Sequence, residues 1–115
     1  MADDVKASVR KRDSVAIIDM KGEVTSFADA ILNSLVKTTV EEGFQHIAFN
    51  FADVSYINSS GIAVLIGLVT SLASKGVLFN VYGLTPHFKK IFRMIGLTQY
   101  VSVSASEEDA IATFL

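Results

Sequence analysis

The run Asn58-Ser59-Ser60-Gly61, which stands directly before an apolar stretch, is the part of the sequence whose residue types best suit chemistry. Asn58 is a typical helix cap, and the two serines would then occupy the first helical turn. The start of a helix has unpaired N–H groups and a partial positive charge, so it accommodates a phosphate on a serine there. The same residues also fit a plain helix start, in which Gly61 permits close backbone packing. Both interpretations stay open at this point.

Residues that carry catalysis or bind metals are sparse and poorly spaced. The two histidines, His46 and His87, are far apart in the chain, and neither has a partner at ligand spacing. The glycines are scattered rather than gathered in a phosphate-binding loop, and no serine stands in a nucleophile-elbow pattern. Carboxylates such as Asp19 and Asp53 fit turns and caps. We therefore predict no catalytic residue, no metal site and no cofactor, and hence a protein that is not an enzyme.

Lys89, Lys90 and Arg93 form a basic cluster about one helix turn long, with His87 beside them. Their spacing places them along one helical segment. Such a cluster is either a solvated helix face or an electrostatic contact with an acidic partner surface.

Length and composition limit the class of protein. The chain has 115 residues, 50% of them hydrophobic, with no cysteine, and it carries a net charge of −2. This size predicts a single domain over residues 1–115, and the slight acidic excess argues against a nucleic-acid partner. The acidic start, residues 1–4, is unlike a secretory or transit peptide, so we expect a cytoplasmic protein.

The apolar run Ile62–Ala73, in which nine of twelve residues are apolar, raises the question of a membrane. A span needs roughly 20 such residues, so we predict no membrane insertion. A helix that is apolar on every side must be covered on both faces. The second cover would be either a partner protein or a second copy of the chain, as in a homodimer.

Hydropathy patterns predict nine elements in the order β-β-α-β-α-β-α-β-α, which is an α/β fold with a mixed, mostly parallel sheet and crossover helices. Residues Asp53–Asn58 are predicted to form a loop. The first helix shows an apolar stripe that includes Phe27 and Ile31, and a capping box of Ser26 and Asp29. The predicted strands are Val5–Arg10, Ser14–Met20, 46–51, Val77–Tyr82 and Tyr100–Val103; the predicted helices are 26–43, Ser59–Lys75, 85–96 and 106–115, with Phe88, Ile91, Phe92 and Ile95 of the third helix facing inward.

Several of these segments together resemble a stand-alone STAS domain, the fold shared by bacterial anti-sigma factor antagonists and the cytoplasmic tails of sulphate transporters. The run Asn58-Ser59-Ser60-Gly61 resembles the Asp-Ser-Ser/Thr-Gly phosphorylation motif of that family. The resemblance covers nearly the whole chain in order and spacing. The other matching segments are Gly22-Glu23-Val24, which is similar to the family's Gly-Glu-Leu-Asp turn after the second strand, Leu84-Thr85-Pro86 with Lys89-Lys90-Ile91-Phe92 and Ile95-Gly96-Leu97, and Ser106-Glu107-Glu108-Asp109-Ala110.

The resemblance implies a partner-switching regulator. Such an antagonist binds an anti-sigma factor that is also a serine kinase, and the kinase releases it by phosphorylation. A PP2C-type serine phosphatase then resets it. By family position the modified serine is Ser59, with Ser60 as the alternative. We place the docking surface on residues 58–62 and the nearby helix surfaces: Asn58, Ser59, Ser60, Gly61, Ile62, exposed parts of Val64 and Leu68, and Lys89, Lys90 and Arg93.

Two positions depart from the family pattern, since Asn58 and Thr25 stand where the family has acidic residues. If the fold brings Thr25 near Ser59, a phosphoserine there meets less like-charge repulsion than in a relative with both acids. Recognition by a kinase or a phosphatase that reads those carboxylates would be impaired. The alternative function is therefore a constitutive STAS adaptor or scaffold subunit, for instance of a signalling assembly or a lipid-transport complex, without a phosphoserine switch.

Overall fold

A computed structural model describes residues 5–115, so the acidic start at residues 1–4 lies outside the described part. Five strands and four α-helices follow in the predicted order, with one short 3-10 turn at Leu97–Gln99. The strands are β1 (Lys6–Arg12), β2 (Val15–Val24), β3 (His46–Ile57), β4 (Leu78–Tyr82) and β5 (Val101–Ser104); the helices are α1 (Ala28–Glu41), α2 (Ser59–Ala73), α3 (Pro86–Met94) and α4 (Glu107–Ala112).

The strands form one sheet in the spatial order β1-β2-β3-β4-β5. The β1–β2 pair is antiparallel and the other three pairs are parallel, which confirms the predicted mixed sheet. Consecutive parallel strands joined by right-handed crossovers place their helices on one face of the sheet. Buried residues of α1, α2 and α3 accordingly share one hydrophobic cluster with the sheet, whereas Ala110 and Ile111 of α4 pack against Val15, Ile17 and Ala48 on the other face.

The predicted loop at Asp53–Asn58 is wrong, because β3 continues to Ile57. The pairing of β2 with β3 extends to Val24 and Ile57, with register shifts on the way. The predicted turn Gly22–Val24 therefore lies inside β2. This end of the two strands projects beyond β4, whose last pair with β3 is Asn50 with Tyr82. Polar side chains are tolerated there because much of this ribbon is exposed.

The predicted capping box of α1 is also wrong. Phe27 is the N-cap residue and no side chain caps the helix; instead, the Ala28 amide donates to the backbone oxygen of Thr25 at 2.9 Å. Phe27 is 72% exposed and Ile31 is 38% exposed, so the stripe of apolar residues on α1 is wider than the side of the helix that is buried. The buried side of α1 is Ala28, Leu32, Val36 and Thr39. The side of the predicted stripe that contains Phe27 and Ile31 therefore faces solvent.

The caps of the last two helices are confirmed. The Thr85 hydroxyl accepts from the Phe88 amide at 3.1 Å, and the Ser106 hydroxyl accepts from the Asp109 amide at 3.2 Å. In α3, Phe88 and Phe92 are buried as predicted. Ile95 lies past the end of this helix and is 39% exposed, so its predicted inward position is wrong.

Candidate functional site

Ser59 and Ser60 form the first turn of α2 at the point where β3 ends, and both are exposed. Asn58 precedes them in an extended conformation and is the N-cap residue, as predicted. Its side-chain oxygen accepts from the Gly61 amide at 2.9 Å, and its backbone oxygen accepts from the Ile62 amide at 2.9 Å. The cap therefore fixes the helix start and leaves both serine hydroxyls open to solvent.

Gly61 holds this helix start against the end of β2. A Cβ at Gly61 would lie 2.0 Å from the Val24 oxygen and 3.1 Å from the Thr25 amide nitrogen, so only glycine permits this approach. The Asn58 amide donates to the same Val24 oxygen at 3.3 Å. Because Val24 pairs with Ile57, the next residues, Thr25 and Asn58, lie side by side. The fold thus brings together the two positions that lack the family's acidic residues.

The electrostatics of this helix start favour an anion. The first turn of α2 contains no acidic residue. The first N–H groups of a helix have no acceptor within the helix, and they carry the positive end of the macrodipole. A phosphate on Ser59 would therefore meet favourable backbone groups. The nearest motif positions, Asn58 and Thr25, add no opposing charge.

The outer face of α2 differs from the predicted apolar surface. Its exposed positions are small or hydroxylated, whereas its large side chains are buried or partly buried. Leu68 is only 4% exposed and belongs to the core, so the expected exposure of Leu68 is wrong; Ile62 and Val64 are partly buried. The exposed residues, which we call the small-residue stripe, are Ser59, Ser60, Ala63, Gly67 and Ser71, with Ser74 directly after the helix.

A shallow groove runs beside the small-residue stripe, between α1 and α2. Its part nearest Ser59 has a volume of about 310 Å³ and is lined by Ala63, Val64, Gly67 and Leu68 from α2, with Asp29 and Asn33 from α1. Small side chains on α2 open this groove, so that a partner can approach the helix closely.

The basic residues of α3 form a separate patch. Lys89, Lys90 and Arg93 are exposed, and none of them makes a salt bridge within residues 5–115. Both α2 and α3 begin at the carboxyl edge of the parallel strands. However, β3 runs on to Ile57 beyond its last pair with β4, so the start of α2 lies farther out than the start of α3.

The histidines have no common site in the fold. The His46 ring stacks on the Phe114 ring with 4.8 Å between centroids, and His87 is exposed beside Phe88. The described residues contain no group of three or more histidines and carboxylates that could hold a metal ion. Within the same residues, no helix is both long and apolar enough to cross a membrane.

A network of charged residues holds α4 against the sheet, and it was not predicted from the sequence. Arg10 on β1 bonds to Asp19 and Glu107, and Arg12 donates to Glu107 at 2.6 Å. The Tyr82 hydroxyl donates to Glu107 at 2.8 Å. The hydrogen bond from Arg10, with those from Arg12 and Tyr82, lowers the pKa of Glu107 to about 2, while burial and the carboxylate raise the pKa of Tyr82. Because side chains alternate along β1, Arg10 and Arg12 lie on the same face. No pattern in the neighbouring sequence predicts that Glu107 is their partner.

Comparisons with known proteins agree with this architecture. The STAS domain model matches residues 6–110. An anti-sigma-B factor antagonist of Bacillus subtilis is 21% identical over 107 residues, which are 93% of this chain and 97% of that protein. The crystal structure of an anti-sigma factor antagonist from Mycobacterium paratuberculosis has a TM-score of 0.81 at 18% identity, covering 95% of this chain and 92% of the other. The Bacillus cell fate determinant SpoIIAA in its phosphorylated form has a TM-score of 0.73 at 21% identity, covering 96% and 100%.

Proposed function

The chain belongs to the STAS domain family, and on this premise we propose that it is an anti-sigma factor antagonist in a bacterial partner-switching module. In this proposal it works in the cytoplasm as a regulator and not as an enzyme. It binds an anti-sigma factor with serine kinase activity, and phosphorylation of Ser59 releases it. A PP2C-type serine phosphatase then removes the phosphate.

The observation that carries the proposal is an exposed serine on a rigidly held helix start beside a surface of small side chains. Ser59 is open to a kinase, while Asn58 and Gly61 fix the backbone on either side of it. A partner that docks on the small-residue stripe would cover the Ser59 hydroxyl. The names of the relatives support the same role, and one of them has a phosphorylated form.

Phosphorylation would act on the interface rather than on the fold. It adds about −1.5 to −2 charges at neutral pH. Because the start of α2 favours negative charge, the free domain accommodates the phosphate. A docked partner would instead have to desolvate it. The phosphate thus opposes docking while the domain stays folded, which is the behaviour that a release switch needs.

We propose that the docking surface consists of Asn58, Ser59, Ser60 and Ile62 with the accessible edge of Val64. Gly61 was also predicted to contact the partner, but it is buried against Val24 and serves to position the helix start. Leu68 is a core residue, so it contributes to the floor of the adjoining groove and not to the exposed docking surface. Lys89, Lys90 and Arg93 would make a second, electrostatic contact with an acidic part of the partner.

The test is a pull-down from native lysate with wild-type, Ser59→Asp, Ser60→Asp and Ser34→Asp baits. Ser34 is an exposed serine of α1 that does not line the groove between α1 and α2, and it serves as the matched control. We expect wild type and Ser34→Asp to capture an anti-sigma factor and Ser59→Asp to lose it. Loss with Ser60→Asp alone would move the modified position to Ser60.

Stability separates release from unfolding. Ser59→Asp adds the first carboxylate to the first turn of α2, so it should stabilise the free domain by about 0.3–1 kcal/mol at low ionic strength. Equal capture by all four baits would contradict the switch and support a constitutive adaptor or scaffold. Intact mass after incubation of wild type with the captured kinase and ATP should show one phosphate, which Ser59→Ala should lack.

A further inference from the structure

The two edges of the sheet differ sharply in charge. β1 carries Lys6, Arg10, Lys11 and Arg12 within seven residues. β5 at the other edge is Val-Ser-Val-Ser, and the whole segment 94–106 contains no charged residue. Charged side chains on an edge strand are a common protection against pairing with another chain. β1 therefore has this protection, and β5 lacks it.

Exposed hydrophobic side chains concentrate around the β5 edge. Nine large hydrophobic residues are exposed within residues 5–115, and five of them lie in β5, at the start of the neighbouring β4, or in residues 94–100, which lead into β5. Exposed apolar side chains beside unpaired strand backbone mark a pairing surface. The five are Leu78, Met94, Ile95, Tyr100 and Val103, with exposures of 56%, 74%, 39%, 49% and 38%.

We propose that the chain forms a two-fold dimer in which β5 pairs antiparallel with β5 of a second copy, so that the two sheets become one sheet of ten strands. The proposal concerns a surface other than the start of α2, and it does not depend on the proposed function.

The alternation of β5 fits self-pairing in one register. Val101 belongs to the hydrophobic cluster under α1, α2 and α3, whereas the hydroxyls of Ser102 and Ser104 contact the Asn80 side chain. Successive residues of a strand point to opposite faces, so Val103 shares the face of Val101. If Ser102 lies opposite Ser102 of the second copy, then Val101 lies opposite Val103. Valine then pairs with valine on one face, and on the other face Ser102 pairs with Ser102 and Ser104 lies opposite Tyr100.

A second copy suits this edge better than it suits β1. Antiparallel pairing of β1 with itself would bring the basic residues of one copy close to basic residues of the other, which is unfavourable. Pairing of β5 with itself brings no charges together and satisfies the free N–H and C=O groups of both strands. A two-fold axis perpendicular to the sheet also keeps α2 of both copies on one face.

The first test measures the mass of the full chain in solution. Sedimentation equilibrium over a concentration series should show a shift from 12.4 kDa to twice that mass. Val103→Lys should raise the dissociation constant of the dimer by about tenfold or more, because it gives β5 the charge it lacks. Ile31→Lys is the matched control, since Ile31 on α1 is also 38% exposed, and it should leave the constant unchanged.

The second test fixes the register. The chain has no cysteine, so one introduced cysteine reports a single position. Residues directly opposite in an antiparallel pair have Cα atoms about 4.5–5.5 Å apart, within disulfide range. Ser102→Cys should therefore form a covalent dimer on mild oxidation, whereas Ser8→Cys on β1 should stay monomeric. A monomer at every concentration, a dimer that Val103→Lys leaves intact, or equal cross-linking at both positions would overturn the proposal.

Discussion

Two glycines of α2 make a matched pair for testing how the candidate site is positioned. A Cβ at Gly61 would lie 2.0 Å from the Val24 oxygen and 2.6 Å from the Val24 carbonyl carbon, whereas a Cβ at Gly67 would meet nothing within 4 Å. The two substitutions Gly61→Ala and Gly67→Ala add the same methyl group to the same helix. We expect them to change the free energy of unfolding in opposite directions.

The magnitudes follow from these contacts. The contact at Gly61 falls about 1 Å short of the 3.0 Å that real Cβ atoms keep, and its partner is backbone, which cannot rotate away. Overpacking of this kind costs about 3 kcal/mol, and the better helix propensity of alanine returns about 1 kcal/mol. Gly61→Ala should therefore destabilise the domain by about 2 kcal/mol. Gly67→Ala keeps only the propensity gain and should stabilise it by about 0.8–1 kcal/mol.

The assay is urea unfolding followed by circular dichroism, because the chain has no tryptophan to report by fluorescence. An unchanged slope m with a shifted midpoint would show that stability alone has changed. In thermal unfolding, a change of 1 kcal/mol moves Tm by about 3–6 °C for a chain of this length, so Gly61→Ala should lower Tm by about 6–12 °C.

Two outcomes of the unfolding experiment would contradict these expectations. If Gly61→Ala stabilised the domain as Gly67→Ala does, then α2 would not rest on the Val24–Thr25 peptide, and the stated reason for the fixed position of Ser59 would fail. If both variants destabilised the domain equally, the conclusion that a Cβ at Gly67 has free space around it would be wrong instead.

Two further predictions concern the caps and the charged network. Asn58→Ala removes the hydrogen bond to the Gly61 amide and should cost about 1 kcal/mol, as should Thr85→Ala on α3; a loss below about 0.3 kcal/mol in chemical unfolding would contradict the caps. The folded-state pKa of Glu107 lies near 2, below its ordinary 4.5, so its contribution is present above pH 4.5 and is lost as pH falls towards 2. Glu107→Gln should thus cost about 1–2 kcal/mol at neutral pH, allowing for the partly exposed Arg10, and the deficit should shrink in acid; a deficit that does not change with pH would refute this.

Local features of the site could be predicted from the sequence because they depend on neighbours in the chain. An asparagine before two serines and a glycine predicts a capped helix start, and Asn58 does cap α2, because its side chain accepts from the Gly61 amide. Thr85 before Pro86, and Ser106 before three acidic residues, predict helix starts for the same reason. Hydropathy periods predict the order of elements, because strand and helix bury side chains at different intervals.

Features that depend on distant parts of the chain could not be predicted from the sequence. Residues Asp53–Asn58 are predicted to form a loop, and only the pairing with β2 shows that β3 continues to Ile57. The phosphorylation of Ser59 stays a prediction from family position. The Arg10–Glu107 ion pair joins residues 97 positions apart, so no local pattern identifies it.

The sequence by itself determined where α2, α3 and α4 start, which residue types stand at their first turns, and that an α/β sheet would form. Only the tertiary structure decided which sides of those helices are covered. Leu68 is core and Ile31 is exposed, although both belong to apolar stretches, because the sheet and the neighbouring helices cover one side chain and stop short of the other. A helix cap is a contact between residues about three positions apart, so the local sequence can predict it. Burial of a side chain depends on all the elements that pack against it, and these come together only in the folded chain.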